Sequence, residues 1–243
     1  MRRMLTISAT QPKARFAGHT DRWLFFALGA LILAIVGIGY GPAIFVAGLV
    51  RPQVQSVIIR IHVVLVSLWL CSFAAQVLFA IAGKLVWHRR FGTWAFAVAA
   101  VWAFSALAAL AADLHLEPQY DAEDFILVTR IAIFAGFLAM AWVRRTRPQA
   151  HKRWMVLAMS QAIIGGISDL PIPWLHENTL HATETALAFP LALIVYDFVK
   201  NRRLERATLW GSATIFAVQL IRFPIANSHT WLAMARWVGS LNL

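Results

Sequence analysis

Seven long apolar runs, separated by short stretches that carry most of the charge, constrain this chain more than any other feature. They fall at roughly 23–49, 57–83, 94–112, 125–143, 154–174, 180–199 and 208–225. Each is close to the ~20 residues a helix needs to cross a hydrocarbon core. Backbone N–H and C=O groups in lipid must be paired within their own segment, which selects helices. A closed barrel would show short alternating segments, and none is visible. The expected fold is therefore all-α, a polytopic membrane helix bundle of about seven transmembrane helices. Composition agrees, since only 14% of residues are charged, against about a quarter in soluble domains. The spans leave a basic tail at 1–22, a transmembrane domain at 23–225 and a short tail at 226–243. In that last tail, His229–Val238 reads as an interfacial helix or a loop.

Basic residues fix the expected orientation. Of 22 Lys and Arg, 17 lie in the N-terminal tail and in the second, fourth and sixth connections. Acidic residues Asp113, Glu117, Asp121, Glu123, Asp124 and Glu177 lie on the other side. By the positive-inside rule the N-terminus is cytoplasmic, and seven spans leave the C-terminus outside. The net charge of +11 thus follows membrane orientation. It does not point to nucleic acid, and the partner it implies is the lipid bilayer. The single cysteine, Cys71, excludes an internal disulfide and a cysteine-based metal centre. The first apolar run is too long for a cleaved signal and reads as a helix.

Tryptophans mark the expected interfaces. Trp23, Trp87, Trp94, Trp142, Trp154, Trp174 and Trp210 fall near span ends, where an amphipathic ring sits at headgroup level. Trp69 and Trp102 lie deep. Gly37 and Gly41 form a Gly-x-x-x-Gly suited to close helix packing. Pro190 and Pro224 are expected to kink the sixth and seventh spans.

Ionisable groups inside a bilayer are costly, and so they are functional or paired. His62, Arg130, Asp169, His181, Glu184 and Arg222 come from five spans and fall in one outer-leaflet layer. His62, Trp69 and Gln76 recur every seven residues, on one helical face. Three readings follow. In the first, His62 and His181 are axial ligands of a b-type haem whose propionates meet Arg130 and Arg222. A second, cytoplasmic pair, His88 and His151, would hold another haem or bind headgroups. In the second reading, His62, Asp169, His181 and Glu184 ligate zinc in a membrane hydrolase, although no His-Glu-x-x-His is present. In the third, the arginines and carboxylates form two buried ion pairs in a structural or assembly factor. The first is preferred.

Two local motifs echo each other 63 residues apart: His88-Arg89-Arg90-Phe91 and His151-Lys152-Arg153-Trp154. With His62, Trp69, Gln76, Gly92 and Met155, and the tail from Tyr196-Asp197 to Trp210-Gly211, they resemble a group of uncharacterised bacterial multi-pass membrane proteins. The shared pattern is His, a Trp-containing span, Gln, His-Arg-Arg-x-Gly, then His-Lys-Arg-x-Met opening a later span. The resemblance covers about two-thirds of the chain. It implies a bacterial cytoplasmic-membrane protein and brings no established activity. More loosely, histidines at helix ends are similar to those of membrane proteins that handle haem and assemble oxidases.

Overall fold

The computed structural model describes residues 19–42, 57–116, 122–177 and 179–240. Every regular element among them is helical. Among the described residues, six helical stretches are long and apolar enough to cross a membrane: Trp23–Pro42, Val57–Ile81, Leu85–Ala112, Glu123–Val143, Leu180–Asn201 and Arg206–Ala226. The protein is thus a helical, membrane-embedded, multi-pass bundle.

The first span is α1 (His19–Ile35), continued by π-helix over 36–42. Next come α2 (Val57–Ile81) and α3 (Leu85–Leu116). The third apolar run was expected to begin at residue 94, yet α3 starts nine residues earlier. Arg89 and Arg90 therefore sit on a helix and not in a loop. Long basic side chains at a helix end reach the interface without breaking the backbone ladder. The turn is short because Gly83 takes φ +69°. Lys84 N–H donates to Phe79 C=O at 2.9 Å and Gly83 N–H to Ala80 C=O at 3.2 Å. That is a Schellman cap, whose left-handed residue favours glycine.

Helix α4 (Ala122–Val143) leads into α5 (Pro148–Ala162), α6 (Ile164–Ser168) and α7 (Pro173–His176). The expected fifth span, 154–174, is thus an interrupted run, and it is not among the six long apolar helices. It is instead the most enclosed part of the bundle. Arg153, Trp154 and every residue of 156–162 are buried in α5, and Leu157, Ala158 and Met159 are fully so. A helix surrounded by protein needs no apolar face toward lipid, which is why Ser160 and Gln161 are tolerated there.

Helices α8 (Thr179–Ala186) and α9 (Ala188–Asn201) form one span with a break at Leu187. Pro190 causes it, having no N–H to give and no room for the carbonyl one turn back. Leu187 N–H turns to Glu184 C=O at 3.0 Å. Pro224 lies within α10 (Arg206–Ala226). The tail forms α11 (His229–Gly239), capped by Ser228, whose hydroxyl accepts from Trp231 N–H at 3.2 Å.

Glycine contacts differ from expectation. A Cβ at Gly37 or Gly41 would meet nothing among the described residues, whereas one at Gly39 would overlap Gly166 C=O. The close approach therefore runs through Gly39, between the first span and α6. Trp23, Trp87, Trp94, Trp174 and Trp210 are exposed, as an interfacial belt requires. Trp154 is not part of it, being packed into the core against Phe137.

Candidate functional site

Tyr40, His62, Trp102, Arg130, Phe134 and Gln161 line a cavity of about 180 Å³ between the first span and helices α2 to α5. Two of the ionisable residues singled out in the sequence, His62 and Arg130, thus meet in one space.

Local sequence explains how each side chain arrives there. Tyr40 is carried by the π-helical end of the first span. Its side chain lies on the bare backbone of Gly165 and Gly166, where added Cβ atoms would fall 2.8 Å from the hydroxyl and 3.2 Å from the ring. Its hydroxyl donates to Ala162 C=O at 2.9 Å, at the break between α5 and α6. Sequence reasoning missed Tyr40, although the run of glycines around it was visible.

His62 Nδ1 lies 3.0 Å from Ser105 Oγ. Ser105 donates its only proton to Trp102 C=O at 2.7 Å. The hydroxyl oxygen must then accept, so Nδ1 carries the imidazole proton and Nε2 is left as an acceptor. The His62 ring stacks on Trp102 at 6.5 Å, and Trp102 stacks on Trp69 at 6.5 Å. Phe134 meets Trp102 edge-on at 4.7 Å. Together they form a flat aromatic wall with a histidine at one end.

Positive charge is left open around this wall. Arg130 Nε is buried with no hydrogen-bond partner among the described residues, and so is Trp102 Nε1. Arg222 on α10 is 3% exposed, lies within electrostatic reach of Arg130 and has both Nε and Nη1 unpartnered. Gln219 Oε1 and Ser212 Oγ, on the same helix, are also unmatched. Buried donors and acceptors are nearly always satisfied, so several together call for a missing partner.

His181 and Glu184 are not among the residues that line this cavity. His181 stacks face-to-face on Trp174 at 4.4 Å, and its Nδ1 is 2.8 Å from Trp174 C=O. It is not part of the cavity lining that includes His62. Asp169 and Glu184 are exposed; Asp169 lies within electrostatic reach of Tyr40, and no ion pair joins Glu184 to Arg130 or Arg222 among the described residues. Asp169 ends α6 at its C-cap, and Glu184 lies on the exposed face of α8. Among the described residues, no three His, Cys, Asp or Glu side chains are grouped to hold a metal ion. The four candidate zinc ligands therefore do not converge there.

At the opposite end the structure shows a buried ion pair that sequence reading did not anticipate. Arg153 on α5 is 1% exposed and Asp197 on α9 is fully buried. Arg153 Nη2 meets Asp197 Oδ1 in an ion pair, and its Nε donates to Oδ2 at 3.2 Å. Asp197 also accepts from Thr208 Oγ1 at 2.6 Å, Asn201 Nδ2 at 3.2 Å and Glu205 N–H at 3.2 Å. Arg153 Nη1 donates to Gln149. In the sequence Arg153 counts with the basic fourth connection, and Asp197 is noted only in the resemblance.

His88 and His151 do come together, with ring centroids 6.4 Å apart. His151 Nδ1–H donates to Ala141 C=O at 2.9 Å. Gln76 clasps the α2–α3 hairpin: its NH₂ donates to His88 C=O at 2.9 Å and its oxygen accepts from Gly92 N–H at 3.2 Å. Desolvation by the packed helices, with a smaller contribution from the neighbouring His88, holds the His151 imidazole below the usual histidine range, partly offset by the bond to Ala141. Gln76, His88 and Gly92 are thus parts of a hairpin clasp. Compared with known proteins, the chain matches no family model, no curated protein and no solved structure, so its chemistry is read from its own residues.

Proposed function

We propose that this multi-pass membrane protein binds a small organic anion, an aromatic or similarly flat carboxylate, in the cavity beside Arg130. The observation that carries this reading is the unpartnered Nε–H of Arg130 in an apolar, aromatic-walled space, with the unpartnered Nε and Nη1 of Arg222 within electrostatic reach. Two neighbouring cations in a low-dielectric span are expensive, and an anionic ligand relieves that cost. A neutral ligand would leave it in place. Size points the same way. A 150 Å³ apolar cavity accommodates benzene, and this one, at about 180 Å³, fits a single substituted ring. His62 Nε2 offers an acceptor for a hydroxyl or N–H substituent on the ring, and the Trp102–Phe134 corner offers ring contacts of about 1 kcal/mol.

The bis-histidine haem reading is less well supported, because His62 and His181 each have separate stacking and hydrogen-bond partners. A macrocycle is also several times larger than the cavity. The zinc reading lacks a converging ligand set among the described residues.

In this proposal α5 and α6 make a seventh, protein-enclosed crossing. The N-terminus lies in the cytoplasm and the cavity opens in the outer half of a bacterial inner membrane. Support comes from the basic residues gathered on one side, 17 of 22. A reporter fused to the C-terminus should be active only outside the cytoplasm.

The binding test uses full-length protein in nanodiscs, titrated with benzoate and followed by quenching of the tryptophan emission. Saturable quenching is expected, weakened at least tenfold by Arg130→Gln and unchanged by Arg60→Gln on the exposed face of α2. Absence of saturation, or equal binding by Arg130→Gln, would sink the proposal.

A further inference from the structure

A second cavity, of about 700 Å³, opens between the α4–α5 and α9–α10 connections. Arg144 and Arg147 stand on one wall and Arg203 and Arg206 on the other, with Trp154 and Trp210 at the sides. Glu205 is the only acid among the residues that line it. None of the four guanidiniums is held in an ion pair among the described residues; the buried ion pair shown beneath them uses Arg153 and Asp197 instead. The N-termini of α5 and α10, at Pro148 and Arg206, also face this end of the bundle. They add the partial positive charge of unpaired backbone N–H groups.

The level of the cleft identifies its ligand. It lies where α4 ends and α5 begins, and where α9 ends and α10 begins. This is the headgroup layer of any bilayer these helices cross. Trp210 is 65% exposed at its edge, as an interfacial anchor would be. Arginine forks match phosphate oxygens two at a time. Two pairs of arginines on facing walls match two phosphates joined by a short linker. Basic pockets between spans at this level suit anionic headgroups. We propose that the cleft is a specific site for a phospholipid carrying two phosphodiesters, bound by Arg144 and Arg147 from one side and Arg203 and Arg206 from the other. This site is separate from the anion cavity at Arg130 and does not depend on it.

The test uses full-length protein in a neutral detergent. Diphosphatidylglycerol, phosphatidylglycerol, phosphatidylcholine and inorganic phosphate are added separately, and adducts are counted by native mass spectrometry. One diphosphatidylglycerol should stay bound under conditions that strip phosphatidylcholine. The double variant Arg203→Gln/Arg206→Gln should weaken it at least tenfold. Arg145→Gln should not, because Arg145 is turned away onto Trp142, 4.3 Å from the ring. Should the first double variant misfold, Arg144→Gln/Arg147→Gln on the other wall gives an independent reading. Equal retention of phosphatidylcholine, or no loss in either folded double variant, would overturn the site. Equally tight binding of phosphatidylglycerol or inorganic phosphate would overturn the two-phosphate assignment.

Discussion

Arg153 and Arg222 are buried to nearly the same extent, at 1% and 3% exposure, yet their surroundings are opposite. Arg153 meets a carboxylate through two nitrogens and a glutamine through the third. The carboxylate is in turn saturated by Thr208, Asn201 and the Glu205 N–H. Arg222 has two nitrogens with no partner, and its charged neighbour is another arginine. A buried charge that holds a fold together arrives with its counter-charge and its hydrogen bonds. A buried charge left open is tolerated only if something else completes it. Burial alone does not separate a structural arginine from a binding one; the census of partners does.

The largest expected effect comes from breaking the closed site. Asp197→Ala leaves Arg153 charged and uncompensated, and it strips acceptors from Thr208, Asn201 and the Glu205 N–H. A loss of about 3–5 kcal/mol is expected, read as a collapse of the thermal midpoint in detergent. A midpoint near wild type would show that the pair is not what joins α5, α9 and α10. At the open site the sign reverses. Arg222→Met, measured without added anion, should be neutral or stabilising by about 1–3 kcal/mol, because it removes buried donors that have no acceptor. Strong destabilisation there would mean that Arg222 has a structural partner and would erase the contrast.

The smallest effect concerns pH. The folded-state value of His151 lies below the unfolded one because its imidazole is desolvated. Above about pH 6.5, the ordinary histidine value, both states are neutral and His151 contributes nothing. As pH falls through that value the unfolded chain takes up the proton first, so stability declines. Unfolding midpoints between pH 7.5 and 5 should therefore fall less steeply in His151→Gln than in wild type. Identical slopes would show that the imidazole is not desolvated in the fold.

The sequence made some of this legible and hid the rest for physical reasons. Long apolar runs announce helices because lipid leaves no alternative, and all six apolar spans lie where the runs do. The run at 154–174 was found, but its interruption was not. The seat that Gly165 and Gly166 make for Tyr40 was not legible, because it depends on a span more than 120 residues away. His62 and Arg130 stood out because a charged or titratable group in hydrocarbon is costly. Tyr40 did not, since a phenol at a span end is ordinary. Arg153 and Asp197 were concealed by position. At a helix terminus a charge usually reaches solvent, and only the fold reveals that these two are sealed in.

The π-helical turn at 36–42 makes the anion cavity sensitive to chain length as well as chemistry. Each α-helical residue advances about 100° around the axis, and a π turn accommodates a surplus residue by widening. Deleting one residue between 36 and 39 would let the segment relax toward an α-helix. Tyr40 would swing by about a quarter-turn, away from the glycines that seat it, with no cavity side chain altered. A shift of reading register by one residue could thus silence the site while leaving every group that touches the ligand intact.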